Sequence, residues 1–195
     1  TAAQFLGKAV KWTDLVHSDD QDILKRLLSP ALVPAAGSFN IRMRHQDGRI
    51  RSLSGQYTLQ TKALKNHQSR PTLSLQLTDA RHLHQHNPTL LTPSFVGMME
   101  NTDDFIYFKD RNHVLTAASQ TLVNITAPSK HWRDLIGQTD YDIFPEQYAD
   151  TYYKMEKQVF AGSPVSQEIQ SYLTSDGHIG WVDNRKYPIT DDGGM

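Results

Sequence analysis

The feature that most constrains this chain is an internal repeat that relates its N-terminal half to its C-terminal half. Three short segments of the first half return in the second, in the same order and with similar residues. The matching pairs are 6–8 with 136–138, 14–17 with 142–145 and 47–50 with 176–179, so the offset between partners is nearly constant. A constant offset favours two copies of one domain, because each repeat unit keeps its order of elements.

The first copy is predicted to combine one helix with three strands. Asp19 or Asp20 is placed to cap a helix that runs to about residue 28. The apolar stripe of this helix is Ile23, Leu24, Leu27 and Leu28. Apolar and polar residues alternate over 39–44, which predicts a half-buried strand. A turn at 46–48 leads to a returning strand over about 50–60, and a third alternating strand ends at Asp79.

The second copy is predicted to begin with a hairpin and to end with another. Residues 105–108 and 113–116 are predicted to form paired strands, and 118–125 a short helix. Pro145 starts a longer helix that ends at Gly162. The buried side of that helix is predicted to be Tyr148, Tyr152, Met155 and Val159. Two strand-like runs then fold about residues 175–177.

The repeat also predicts the domain boundaries. The first domain is expected at 1–80, a linker at 81–92 and the second domain at 93–195, with Thr92 capping a helix that begins at Pro93. If the opening strands of the second copy are shifted back by the repeat offset, they fall before residue 1. If the third strand of the first copy is shifted forward by the same offset, it falls after Met195. Both copies are therefore expected to be truncated, and the chain to be a piece of a longer protein.

The second copy carries ordered motifs that resemble those of PAS sensory domains. They are Phe105-Ile-Tyr-Phe-Lys-Asp110, Leu135-Ile-Gly-Gln-Thr-Asp140, Asp142-Ile-Phe-Pro145, Gly162-Ser-Pro-Val165, Asp176-Gly177, Trp181-Val182 and Tyr187-Pro-Ile-Thr-Asp191. In the first copy the resemblance rests on residues 12–20, 42–44, 47–51 and 77–79. The chain resembles tandem PAS/PAC domains of a bacterial signalling protein.

The resemblance implies an α+β fold, with a five-stranded antiparallel sheet and short helices that enclose a pocket on one face. It implies a sensory input region, which performs no catalysis itself and binds a small ligand or a partner to regulate an effector. The expected effector is a diguanylate cyclase (GGDEF) domain in the same parent chain, which synthesises cyclic-di-GMP. This expectation rests on residues 139–145, which resemble the corresponding motif of PAS domains found in such proteins. The alternatives are a sensor histidine kinase of a two-component system, and a ligand-free module that forms homodimers through its sheets or flanking helices.

Composition limits the cofactors and partners of such a domain. The chain has no cysteine, which excludes flavin–cysteinyl photochemistry, and its long helix has no histidine to bind haem. His17 precedes the first helix and is expected to cap it or to lie on the surface. A net charge of -1 without a basic stripe argues against nucleic acid. No apolar run reaches the roughly 18 residues of a membrane span, so a cytoplasmic segment without membrane contact is expected.

Strand parity in the last hairpin predicts the ligand pocket. Val182, Asn184 and Lys186 share one strand face, which borders the cavity by resemblance to flavin-binding members. The other expected wall residues are Glu168, Gln170, Tyr172, Tyr152 and Met155. This wall suits a small polar or carboxylate ligand. An alternative interpretation leaves the polar face solvated and buries Trp181 and Tyr187 under a flanking helix or a partner.

Two further polar groups are candidates for metal or acid–base chemistry. His82, His84 and His86 would share one strand face, and three imidazoles bind zinc, nickel or copper. A polar connector is the preferred interpretation of that segment. Asp140 and Asp142 precede the long helix and are expected to be turn and capping residues. No catalytic residue is predicted.

Overall fold

Antiparallel strands and short helices alternate along the chain, which is a mixed α+β protein. The computed structural model describes residues 11–29, 33–63, 69–83, 92–163, 166–174 and 176–190. The chain divides into two compact units, Thr1–Leu83 and His84–Met195. The domain boundaries given by the repeat remain a prediction.

Three antiparallel strands form the sheet of the first unit. They are β1 (Ala36–Arg44), β2 (Ile50–Ala63) and β3 (Ser69–Asp79), with β2 in the middle. The predicted turn joins β1 to β2, and its Gly48 has a φ of 84°, a left-handed conformation that glycine adopts without strain. Alternating apolar residues thus predict β1 and β3, and the turn at 46–48 predicts β2.

Helix α1 (Gln21–Leu27) packs against this sheet through Leu24, which forms a core cluster with Val16 and Ile41. Two 3-10 turns, Trp12–Leu15 and Ser18–Asp20, precede α1. The sequence places Leu28 in the apolar stripe, but this side chain is 52% exposed. That expectation is wrong because the helix ends at Leu27, and only its edge with Leu24 and Leu27 is buried.

A buried ion pair ties the start of α1 to β1. Asp20 Oδ2 accepts hydrogen bonds from the backbone N–H of Arg42 at 2.8 Å and from its Nε at 2.9 Å, and Oδ1 accepts from Nη2 at 2.9 Å. The carboxylate therefore does not cap α1 as expected. His17 does cap, but it caps the 3-10 turn Ser18–Asp20 rather than α1: Nδ1 accepts from the N–H of Asp19 at 3.3 Å, and the side chain is buried.

The second unit places its strands in two hairpins, β4–β5 and β6–β7. Its elements are α3 (Pro93–Asn101), β4 (Tyr107–Lys109), β5 (Leu115–Ala118), α4 (Gln120–Val123), α5 (Asp140–Ile143), α6 (Glu146–Phe160), β6 (Ser166–Leu173) and β7 (Ile179–Lys186). In this numbering α2 is the short helix Ala80–Leu83 that follows β3. The described residues form sheets of three, two and two strands, so the five-stranded sheet expected for each copy is not present among them.

Local signals place α3 and α6 where the sequence predicts them. Thr92 Oγ1 accepts a hydrogen bond from the N–H of Phe95 at 3.2 Å, and Pro93 occupies the first turn of α3. Helix α6 begins after Pro145 and ends before Gly162, which has a φ of 104°. The helix predicted at 118–125 is shorter than expected, because Ala118 still belongs to β5.

The apolar core of the second unit lies between β5 and the helices α3 and α4. Its buried members are Met99, Leu115, Ala118, Leu122, Val123, Trp132 and Leu135. Helix α6 buries Tyr152, Met155 and Val159 as predicted, while Tyr148 is half-buried. Within the ranges described above, no helix has the length and apolar character needed to cross a membrane.

Candidate ligand cavity and buried charge cluster

The β6–β7 hairpin has a covered inner face and an exposed outer face. On the inner face Glu168 lies opposite Asn184 and Gln170 lies opposite Val182. Exposure alternates along β7, and the inward positions end at the buried Lys186. This parity is the one expected from the sequence. Trp181 and Tyr187 are exposed in the second unit, so none of its described helices covers them, and their burial under a partner stays a prediction.

A cavity of about 530 Å³ lies between this inner face, β4, α5 and α6. Its apolar wall consists of Phe105, Ile106, Leu115, Leu122, Ile125, Ile143 and Phe144. Its polar lining includes Tyr107, Asp140, Asn184 and Lys186, called here the polar end, together with Asp104, Thr126, Asp183 and Arg185. A volume of this size with mainly apolar walls and a few converging polar groups is typical of small-molecule sites.

The structure brings most of the predicted pocket residues to one wall. Those that line the cavity are Tyr152, Tyr172, Val182, Asn184 and Lys186. Three others do not line it. Met155 and Gln170 are buried behind the wall, where Gln170 Nε2 lies 2.7 Å from Met155 Sδ. Glu168 is exposed and accepts from Gln170 Nε2 at 3.1 Å. The ligand-binding role of all eight residues remains a prediction.

A chain of hydrogen bonds holds the polar wall in place. Asn184 Nδ2 donates to Gln170 Oε1 at 2.7 Å, and Asn184 Oδ1 accepts from Tyr107 Oη at 3.0 Å. Tyr107 Oη in turn accepts from Lys186 Nζ at 2.6 Å. The hydroxyl of Tyr107 therefore links β4 to two positions of β7, and these side chains have little freedom to reorient.

Glu156 on α6 collects three cationic or potentially cationic partners. Its Oε1 lies 2.6 Å from Lys109 Nζ and 3.1 Å from Lys186 Nζ. Its Oε2 lies 2.7 Å from His113 Nδ1 in the β4–β5 hairpin, and the His113 ring stacks on Tyr153. One carboxylate thus connects α6 with both hairpins of the unit.

Asp140 completes a buried charge cluster, defined here as Lys109, Asp140, Glu156 and Lys186. Its Oδ2 accepts from Lys109 Nζ at 2.5 Å. Within the described part of the chain this is the one side-chain contact of the Asp140 carboxylate. The sequence predicts a turn or capping role for Asp140, but only Asp142 caps, with Oδ2 accepting from the N–H of Thr139 at 3.0 Å. Asp140 instead lies at the N-terminus of α5, buried and facing β4.

Burial and mutual attraction give the four groups different proton affinities. Burial alone would raise the pKa of Glu156, but Lys109 and Lys186 hold it well below its ordinary value. Burial alone would lower the pKa of each lysine, and the adjacent carboxylates overcome this and raise both. Asp140 differs, because burial raises its pKa and repulsion from Glu156 offsets part of the attraction to Lys109. Asp140 is the member of the cluster whose charged form is disfavoured.

The sequence interpretation missed Tyr107, Lys109, His113, Asp140 and Glu156 as parts of this site. Three of them carried a usable signal. Glu156 follows Tyr152 by one helical turn and precedes Val159 by another, so it falls on the buried stripe of α6. Tyr107 and Lys109 share one strand parity, in a strand that also opens the PAS-like motif.

The outer face of the β6–β7 hairpin carries an exposed apolar strip in the second unit. Ile169, Ile179 and Trp181 share this face and are 67%, 63% and 70% exposed. Next to them Asp183 pairs with Arg185 at 2.6 Å. Exposed apolar residues that adjoin one another are typical of surfaces that another protein covers.

The histidine group does not keep the geometry on which the metal interpretation depended. β3 ends at Asp79 and a helical turn follows, so His82 is exposed on α2 rather than on an extended strand. His84 and His86 lie outside the described residues. Where the structure describes the chain, no three His, Asp or Glu side chains are grouped to hold a metal ion.

Comparison with protein-family models found no match, and comparison with curated proteins found none either. Among solved structures, one similar chain bears the description "Structure of an RNA-binding Light-Oxygen-Voltage Receptor". It aligns with 97% of this chain and 84% of its own, at 9% sequence identity and a TM-score of 0.42. That TM-score is too low to establish a common fold.

Proposed function

We propose that this chain is the sensory input region of a signalling protein, and that its second unit binds a small polar or carboxylate-bearing molecule. The observation that carries the proposal is the cavity of about 530 Å³, with an apolar wall and a polar end formed by Tyr107, Asp140, Asn184 and Lys186. The PAS-like motifs of the sequence support the same function. The segment itself performs no chemistry.

The tandem arrangement is part of the proposal and is supported by the spacing of the strands. β1 begins at Ala36 and β6 at Ser166, while β2 begins at Ile50 and β7 at Ile179. The turns between them contain Gly48 and Gly177, with φ values of 84° and 85°. The offset between corresponding strands is therefore nearly that of the sequence repeat, as expected for two copies of one domain.

Signal transmission would pass through contacts shared by the cavity and α6. Lys186 lines the cavity and also bonds Glu156, while Tyr152 lines the cavity one turn before Glu156 on the same helix. A ligand at the polar end would favour one arrangement of α6 relative to the hairpins. The resulting coupling is limited by the difference in ligand affinity between the two arrangements. The output we propose is a diguanylate cyclase domain in the parent chain, with a histidine kinase as the alternative.

A thermal-shift screen of small polar and carboxylate compounds, followed by titration calorimetry, tests the ligand site. Asn184→Leu removes the amide that bridges Tyr107 and Gln170, and it should lower the affinity for the hits at least tenfold, about 1.4 kcal/mol. Gln167→Leu, on the exposed face of β6, is the matched control and should change nothing. If Asn184→Leu and the unaltered chain bind every hit with equal affinity, the cavity is not the ligand-binding site.

A second candidate function is ligand-free dimerisation, which the exposed outer face of β6–β7 favours. Ile169, Ile179 and Trp181 together offer an apolar strip on a sheet face. Burying such a strip against its own copy would remove apolar area from water. The two functions are compatible in one domain, since the strip and the cavity lie on opposite faces of the hairpin.

A further inference from the structure

The charge cluster beside the cavity contains equal numbers of positive and negative groups, but its two carboxylates have different numbers of partners. It contains two lysines and two carboxylates, so it is neutral when all four are ionised. Glu156 is fixed by Lys109, Lys186 and His113, at 2.6, 3.1 and 2.7 Å. Among the residues that the structure describes, only Lys109 forms an ion pair with Asp140, and Lys109 is shared with Glu156. Asp140 is also the carboxylate of the pair that lines the cavity.

The titratable groups that act on Asp140 come from three elements. Lys109 lies on β4, Tyr152 and Glu156 lie on α6, and Lys186 lies on β7. On its own helix, Tyr141 and Asp142 bind Asp150 and Thr139. Burial and the charge of Glu156 raise the pKa of Asp140, whereas the pKa values of both lysines are raised and that of Glu156 is lowered. Of these four groups Asp140 therefore changes its charge most readily.

The cluster can thus compensate an added negative charge but not an added positive one. A ligand carboxylate against Lys186 would leave a net charge of −1, which protonation of Asp140 restores to zero. A ligand cation would require a lysine to lose a proton, and the carboxylates that surround both lysines oppose that loss. Uncompensated charge is costly in a buried site, so the compensated combination is preferred.

We infer that the cavity selects ligands with a single carboxylate seated against Lys186, and that Asp140 takes up one proton from solvent when such a ligand binds. This inference rests on the proposed ligand site and names its ligand class. The carboxylate stays ionised, the proton resides on Asp140, and the cluster with its ligand keeps a net charge of zero. Affinity consequently increases as the pH falls, and the site responds jointly to a carboxylate and to acidity.

The test uses the full chain and three carboxylates of graded size, benzoate, phenylacetate and indole-3-acetate, each paired with its neutral amide. Titration calorimetry in phosphate and in Tris, buffers of different ionisation enthalpy, gives the number of protons taken up. Over a pH range that extends to both sides of neutrality we expect net proton uptake of up to one proton, and a loss of affinity of up to tenfold per pH unit as the pH rises above the pKa of Asp140 in the free chain. The amides should bind at least tenfold more weakly than the acids at the low end of this range.

Two variants assign the proton. Asp140→Asn keeps the shape and a neutral side chain, so carboxylates should still bind, with no proton uptake and no pH dependence. His113→Gln removes the imidazole that lies 2.7 Å from Glu156, and uptake should persist. The proton count on the unaltered chain needs no variant and stands even if a variant fails to fold.

Several outcomes would overturn the inference. Carboxylates that bind without proton uptake, amides that bind as tightly as the acids, or uptake abolished by His113→Gln would each do so, and each would leave the ligand cavity itself intact. Absence of binding by all six probes overturns the carboxylate assignment. The proposed function itself fails only if the thermal-shift screen finds no ligand whose affinity is lowered by Asn184→Leu.

Discussion

Lys109 Nζ lies 2.6 Å from Glu156 Oε1, joining the first strand of the second unit to the middle of its long helix. Glu156→Gln would leave Lys109 and Lys186 with Asp140 as their remaining counter-charge, in a buried site. Removing one partner of a buried ion pair typically destabilises a protein by about 3–5 kcal/mol. Urea unfolding monitored on the second unit should show a loss of that order.

The control for Glu156→Gln is an ion pair on the surface of the same unit. Glu100 Oε1 lies 3.4 Å from Arg133 Nη1, and the two side chains are 40% and 50% exposed. Glu100→Gln should change the free energy of unfolding by less than about 1 kcal/mol. Equal effects of the two substitutions would contradict the buried cluster.

Acid should destabilise the second unit through Glu156. Burial would raise the pKa of this carboxyl, but the two lysines and His113 hold it well below its ordinary value of 4.5. Because the folded-state pKa is the lower one, the stabilisation is complete above about pH 4.5 and is lost as the pH falls through the folded-state pKa. Unfolding curves from about pH 7 to pH 3 should show a loss of stability that is smaller in Glu156→Gln. Parallel curves for the two chains would refute this origin of the acid sensitivity.

The ion pair of Asp20 and Arg42 should be the most sensitive point of the first unit. Both side chains are almost fully buried, at 0% and 1% exposure, and Asp20→Asn leaves a buried guanidinium short of its counter-charge. Hydrogen exchange of the β1 amides should report a loss of about 3–5 kcal/mol. Asp22→Asn, which disturbs an exposed pair with Lys25 on α1, should leave those amides unchanged. Similar exchange in both variants would argue against the importance of the pair.

The outer face of the β6–β7 hairpin should control self-association. Trp181 is 70% exposed at the centre of the apolar strip, so Trp181→Lys should shift sedimentation velocity profiles from dimer to monomer without loss of folding. Met98→Lys alters another exposed apolar residue, on α3, and should not. A chain that is monomeric at every concentration before substitution would rule out the dimerisation candidate.

The sequence predicts the periodic elements of this fold well, and the reason is local. β1, β3 and α6 are marked by alternation, by a stripe at helical spacing and by turn glycines, all of which are readable within a short window of sequence. Asn184 and Lys186 were found for the same reason, because strand parity fixes which side chains share a face. Where a prediction depended on element length, as at Leu28, it failed, since the end of a short helix is set by packing.

The charge cluster lies beyond what local patterns predict. Lys109, Asp140, Glu156 and Lys186 are far apart in the chain, and each is of a type normally solvated. Only the three-dimensional packing of β4, α5, α6 and β7 brings them together. Arg42 is a second example. Its alternation with Ile41 and Met43 predicts a position on the polar face of the strand, yet its side chain is buried and donates a hydrogen bond to Asp20 of a preceding turn.

The most direct test of the ligand cavity is a crystal structure of the chain grown with the tightest carboxylate from the screen. The proposed function predicts ligand density in the cavity of the second unit, with the carboxylate within hydrogen-bonding distance of Lys186 Nζ and the apolar part against Ile143 and Phe144. Density at another surface, or an empty cavity with ligand bound in solution, would contradict it.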